Sequence, residues 1–530
     1  IYTRLKSEAL PLGTERPIVS ALLKDHPYAL FVFSNADRDR WHFVNAKTND
    51  DPARRRLFRR ISVGPEDRLR TASERIARLD IDGIPPALYG IHPAEIQKRH
   101  DEAFDVEPVT KEFYKEYKEV FDRVLSQIEG IADDERRRLF TQRLFNRLMF
   151  LGFIQKKGWL KFPGSRPADY LNALWKDYRK ENEPGTTFYL DRIVPLFHML
   201  QSGFMQDLLG GVPYLNGGLF EDEPEGKDLQ VRVPNTCFEA ILTRLFDRFN
   251  FTVTESTPLD VEVAVDPEML GKVFEELVTG RHETGSYYTP KPIVSFMCRE
   301  ALKGYLEGAL PDEGAEAVAP FVDEHVPAKL RDPEAALNAL RRITVCDPAC
   351  GSGAYLLGML HELLDLRACL FKTKPLDHAR TYDRKLEIIQ RNLYGVDKDE
   401  FAVNIARLRL WLSLAVDFEG EKPVPLPNLK FEIERGDSLA APFTSRSAND
   451  SFRDNMILQF QEAKARYMRA HGDSKAELEG DVIALKNSIA SWTHDGRKVD
   501  GFDWQVEFAE VFHEGGFDVV LANPRMCGRS

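Results

Sequence analysis

Ile343-Thr344-Val345-Cys346-Asp347-Pro348-Ala349-Cys350-Gly351-Ser352-Gly353-Ala354-Tyr355-Leu356-Leu357-Gly358 is the stretch whose reading decides the fold. A β-branched run ends in an acid at Asp347, a tight turn carries Gly351 and Gly353, and an apolar helical pattern follows. That order predicts a strand, a glycine loop and a helix. Glycine lets backbone approach a ligand closely and adopt positive φ, while the next helix opens with unpaired N–H groups. A dinucleotide fingerprint needs a third Gly or Ala three residues after the second glycine, and here that position is Leu356. Since Asp347 already lies inside the loop, a pyrophosphate cradle is the poorer reading.

The chain has 530 residues and 43% hydrophobic content, enough for two or three cores. No apolar run approaches the roughly 20 residues that span a bilayer. Leu148 to Ile154 is the longest conspicuous one, and Arg147 and Lys156 flank it. No signal-peptide pattern is present, which favours the cytoplasm. Cys237, Cys298, Cys346, Cys350, Cys369 and Cys527 include no C-x-x-C pair, so reduced thiols are expected rather than a disulfide framework or a zinc site. The net charge of -12 argues against a surface coated throughout for nucleic acid. Residues 1–100 nevertheless hold 18 Lys and Arg against 13 Asp and Glu, so any DNA contact is local.

Residues 1–100 read as a small α/β module. Ala29–Phe33 and Trp41–Val44 are aromatic and β-branched runs on either side of a polar turn, a hairpin pattern. One reading is a degenerate nuclease-like domain. Its second strand ends Asn45-Ala46-Lys47, with Asn where a metal-binding acid belongs, so no carboxylate pair is placed for Mg²⁺ and no metal site is expected. Arg54, Arg55, Arg56, Arg59 and Arg60 read as a solvated face in preference to a phosphate clamp. Residues 101–259 read as an all-helical connector domain. Within it Leu139–Ile154 is apolar around so much of its circumference that a buried central helix is predicted, ended by Gly158.

From residue 260 the signals sharpen. Asp266-Pro267 predicts a capped helix running to Val278 and closed by Gly280. After Gly285 to Tyr288, Thr289 reads as the cap of a second helix, whose positive end suits a carboxylate. Leu393 to Asp397 is a second strand ending in an acid, where a doubly wound sheet places the acceptor for ribose hydroxyls. Leu429–Glu434 reads as a third strand, closed by Gly436-Asp437-Ser438, with Asp437 able to accept from an adenine amino group. Each acid alone also reads as a helix cap; three in order at strand ends favour a ligand site. Residues 450–500 are a charged, helix-prone insertion, and Phe517 to Ala522 is a buried-strand pattern delivering Asn523-Pro524.

Taken in order, the Thr289-Pro290 helix start, the Asp347–Gly353 loop, Gly395-Val396-Asp397, Gly436-Asp437-Ser438 and Asp518-Val519-Val520-Leu521-Ala522-Asn523-Pro524 resemble the γ-class adenine-specific DNA methyltransferases. The likeness is strongest to those in single-chain, type IIG restriction-modification proteins, and it spans residues 260–524. Residues 105–260 are similar, less specifically, to the helical region preceding that domain, and the first 100 match loosely. The resemblance implies an α/β fold whose 260–530 domain is a Rossmann-like methyltransferase sheet, incomplete, with strands one to four in the order 3-2-1-4.

It implies S-adenosylmethionine as cofactor. Asp347, Ala349, Gly351 and Gly353 would lie around its methionine part, Thr289 at its carboxylate, Asp397 at its ribose and Asp437 at its adenine. The partner implied is double-stranded DNA with a flipped adenine, since the methylated atom is unreachable in the stack. Catalysis would fall to Asn523 and Pro524: the Asn oxygen and the carbonyl after it accept the two hydrogens of a weakly nucleophilic amine. The family continues Pro-Tyr or Pro-Phe, its aromatic ring stacking on the base. This chain continues Arg525-Met526. That departure, with Ile1 at one end and Cys-Gly-Arg-Ser at the other, reads as truncation. A target-recognition domain or separate specificity subunit is then implied beyond the chain. The expected function is site-specific adenine methylation in a restriction-modification system. The alternatives are a bifunctional endonuclease-methyltransferase and an inactive DNA-binding scaffold.

Overall fold

The computed structural model describes residues 1–8, 10–48, 56–84, 90–181, 185–203, 207–215, 218–220, 231–252, 260–266, 269–271, 273, 289–370, 378–418, 423–440, 451–494, 496 and 501–523. Pro524, Arg525, Met526, Cys527, Arg54, Arg55, the helix end at Val278–Gly280 and the Gly285–Tyr288 turn lie outside them. The chain divides into two compact units. The first comprises Ile1–Leu196, Gln206–Val212 and Glu223–Leu270; the second comprises Phe197–Met205, Pro213–Asp222 and Gly271–Ser530. No helix among the described residues is long and apolar enough to cross a membrane.

The first unit holds a five-stranded mixed sheet of β1 (Tyr2–Arg4), β2 (Phe31–Ser34), β3 (Trp41–Thr48), β4 (Arg56–Val63) and β5 (Asp260–Glu262), in that spatial order. The expected hairpin is β2–β3, with Phe31 opposite Val44 and Ser34 opposite Trp41. Phe31, Phe33, Val44, Ala46 and Phe58 form one buried face against Val19 of the helix Leu12–Leu22. Of the arginine run, Arg59 and Arg60 depart from the solvated face expected of them. Residues 56–63 are β4; Arg60 is only 4% exposed and faces Glu15, and Arg59 hydrogen-bonds Asn45 and Asp101. Pairing with β3 sets Arg60 opposite Val44 and Arg59 opposite Asn45, and buried Glu15 and half-buried Asp101 neutralise them. Among the described residues no His, Cys, Asp and Glu group is arranged to hold a metal.

The rest of the unit is helical. Helix Asp134–Lys156 starts where the Asp133 carboxylate accepts the Arg136 N–H at 2.7 Å, and it is buried almost continuously from Phe140 to Gln155. Aromatic edges pack around it: Phe145 meets Tyr117 and Phe121 at centroid distances of 5.1 and 5.2 Å. Gly158, at φ +82°, follows its end.

In the second unit, β6 (Val345–Asp347), β7 (Leu393–Asp397), β8 (Ile433–Arg435) and β9 (Val519–Val520) form a parallel sheet in the order β8-β7-β6-β9. Parallel neighbours need crossovers, and these are helical here. Ala354–Leu370 and His378–Asn392 lie between β6 and β7, and Glu400–Asp417 lies between β7 and β8. Ser451–Met468 and Asp473–Thr493, the predicted insertion, lie between β8 and β9 and pack with Phe431, Val506 and Ala509. The third strand is shorter and later than the expected 429–434: the Ile433 N–H bonds Leu429 O, a turn that holds residues 429–431 out of the ladder, which begins where Glu432 O accepts the Gly395 N–H. Arg407 then bonds Ile433 O at 3.1 Å and ties β8 to the helix behind it.

Candidate functional site

The loop after β6 is shaped by its own side chains and by β7. Asp347 Oδ1 accepts the Ala349 N–H at 3.1 Å, closing a turn around Pro348. The Cys350 N–H donates to Val396 O, and the Gly351 N–H donates to Asp397 Oδ2, both at 2.9 Å. Gly351 (φ +52°) and Gly353 (φ +79°) occupy the left-handed region that glycine enters without strain. Their surroundings differ. A Cβ on Gly353 would fall 3.1 Å from Ala406 Cβ, whereas one on Gly351 would meet nothing within 4 Å. The loop is therefore packed against a helix at Gly353 and open at Gly351.

Asp347, Ala349, Gly351, Gly353 and Asp397 thus form one connected cluster. Asp397 joins it to β8, because its carbonyl accepts the Gly436 N–H at 2.9 Å. Asp437 follows, and Lys398 Nζ reaches its Oδ2 at 3.0 Å. That ammonium and the Leu439 N–H hold the Asp437 carboxyl below the usual range. Asp347 behaves oppositely. Burial pushes it up to about 8, and the nearby Asp397 charge adds to the rise while the Ala349 N–H opposes it. A carboxyl with so little water around it is poised for a cation, which would return it to the charged form. Burial also raises the Cys346 and Cys350 thiols, so they stay protonated.

Thr289 and Asn523 lie in the same unit and bond to each other: Asn523 Nδ2 donates to Thr289 Oγ1 at 3.1 Å. Thr289 was expected to cap the next helix, but Pro290 holds that position and no side chain caps Lys291–Ala309. The hydroxyl faces Asn523 instead. Asn523 follows β9, where the Leu521 N–H bonds Cys346 O beside Asp347. Pro524 lies outside the described residues.

Two arginines and a lysine that sequence reasoning missed support these groups. Arg409 donates to Ser352 O at 2.7 Å and packs along Gly271, where a Cβ would sit 2.6 Å from its Nη1. Arg407 holds β8, and Lys398 holds Asp437. Only Lys398 had a sequence signal, its place directly after Asp397; the arginines lie inside a helix whose apolar pattern conceals them.

Residues 391–524 match the family model described as the Eco57I restriction-modification methylase, and residues 325–422 match the MmeI DNA-methyltransferase domain. A Methanocaldococcus jannaschii protein named as a type II restriction enzyme and methyltransferase, RM.MjaORFECS2P, is 30% identical over 331 residues, 57% of this chain and 27% of that protein. The chain spans little more than a quarter of that curated relative's length. Among solved structures, the Type IIL restriction-modification enzyme MmeI in complex with DNA has 16% identity and a TM-score of 0.42, covering 71% of this chain and 53% of that one. The DrdV–DNA complex has 15% identity and a TM-score of 0.27, covering 83% and 33%. By sequence, residues 325–524 are thus similar to the methyltransferase domains of restriction-modification enzymes.

Proposed function

We propose that this chain binds S-adenosylmethionine at the C-terminal ends of β6, β7 and β8, in a Rossmann-like arrangement, and methylates the exocyclic amine of an adenine in double-stranded DNA. The observation that carries the reading is the junction of two neighbouring strand ends: the glycine-loop N–H of Gly351 rests on Asp397, with open space where a Gly351 side chain would project. Ligands of parallel sheets bind outside such strand ends.

The residues fit the cofactor's parts. Asp347, beside Ala349, Gly351 and Gly353, suits the cationic ammonium of the methionine end, and the Thr289 hydroxyl suits its carboxylate. Asp397 suits the ribose hydroxyls as a carboxylate acceptor, and Asp437 suits an adenine amino group. When bound, the cofactor supplies a methylsulfonium electrophile. Asn523, with Pro524 after it, would take the hydrogens of the target amine, so that its lone pair leaves the ring's conjugation. The base reaches this point by leaving the stack.

Incubation with methyl-tritiated S-adenosylmethionine and duplex DNA tests the reading. Label recovered as N6-methyladenine, and lost in Asn523→Ala, is expected; label in cytosine would overturn it. Arg525-Met526 favours a second reading, a DNA-binding scaffold without methyl transfer. Salt-sensitive duplex binding with bound cofactor and no label would select that one.

A further inference from the structure

We infer that Thr289 is a positioning residue for Asn523, through a hydrogen bond that couples cofactor binding to the readiness of the amine-accepting group. The inference rests on the proposed role of Thr289 at the cofactor carboxylate.

The bond joins residues 234 positions apart, and both ends are anchored independently. On the Thr289 side, helix Lys291–Ala309 is locked to the helix following the glycine loop. Ser295 and Arg299 bond Glu362 at 2.7 and 3.0 Å, and Val294 packs where Gly358 lacks a side chain. On the Asn523 side, Leu521 is paired to Cys346 in the sheet. Thr289 itself is only 8% exposed, whereas Asn523 is exposed.

A carboxamide is planar, with its donor and acceptor ends diverging. Once Nδ2 is committed to Thr289, Oδ1 is directed away from it, the orientation needed to accept from an exocyclic amine. The same bond leaves the Thr289 hydrogen for an anion, because a hydroxyl accepts through a lone pair and donates through O–H. Hydrogen bonds in such a chain strengthen one another by about 10–30% each. A carboxylate accepting from Thr289 would therefore tighten the bond that holds Asn523, and Asn523 would in turn sharpen Thr289 as a donor.

Calorimetric titration of S-adenosylhomocysteine into the full chain, Thr289→Val, Asn523→Ala and the double variant forms a cycle that reads this coupling without catalysis. Asn523→Ala is expected to weaken binding about 3-fold in the wild-type background and to have no effect in Thr289→Val. Thr289→Ser should restore the coupling. In the methylation assay at saturating cofactor, Thr289→Val should lower kcat about 10-fold, with recovery in Thr289→Ser. Independent effects of the two substitutions, or unchanged affinity in Asn523→Ala, would overturn the inference. Absence of any binding by the unsubstituted chain would overturn the cofactor reading beneath it.

Discussion

At Asp347 folding and ligand binding make opposite demands. Burial raises its pKa to about 8, against about 3.9 for an unfolded Asp. Below the unfolded value both states hold the proton and the group costs nothing. As pH rises from about 4 to 8 the unfolded chain releases its proton first, so stability falls, by an amount on the order of a few kcal/mol at pH 8. Asp347→Asn keeps the acceptor for the Ala349 N–H and does not titrate. By thermal melts, it is expected to match the wild type at pH 4 and exceed it by several degrees at pH 8, while losing about 10-fold or more in cofactor affinity. An equal difference at the two pH values would contradict this. The stretch around Asp347 was legible because acid, glycines and apolar run are contiguous. The Thr289–Asn523 bond was not, since no periodicity reports a contact between distant residues.

Among the elements, helix Lys291–Ala309 depends on the glycine at its crossing with Ala354–Leu370. A Cβ at Gly358 would lie 2.3 Å from Val294 Cγ1. Alanine gains about 1 kcal/mol in helix propensity, but overpacking costs about 1–3 kcal/mol, and at that distance the clash prevails. Gly358→Ala should lower the urea midpoint, and most of the loss should vanish in the Val294→Ala background; a persistent loss would place the strain elsewhere. The apolar residues spread around most of the circumference from Leu139 to Ile154 made helix Asp134–Lys156 readable. β4 stayed hidden because Arg59 and Arg60 interrupt its apolar residues, and their acid partners, Asp101 and Glu15, lie far off in sequence. The shortened β8 was hidden because Leu429-Lys430-Phe431 continues the strand-like alternation but is held in a turn.

Across the whole molecule, the second unit is assembled from separated segments, which a linear division of the sequence does not reveal. Leu215 O accepts the Leu426 N–H at 2.6 Å, and the Tyr214 hydroxyl accepts the Gly472 N–H at 3.2 Å. A fragment beginning at Gly271 lacks these bonds. By calorimetry it is expected to unfold at a lower temperature than the second-unit transition of the full chain, and equal temperatures would show the segments to be dispensable. The parallel order β8-β7-β6-β9 gathers Asp347, Asp397 and Asp437 at the C-terminal ends of neighbouring strands, where the proposed methyl donor would bind. Isothermal titration of S-adenosylmethionine into the unsubstituted chain and Asp397→Ala tests it most directly. One saturable site in the first, weakened at least 10-fold in the second, is the expected result; no heat of binding, or equal affinity in both, would contradict it.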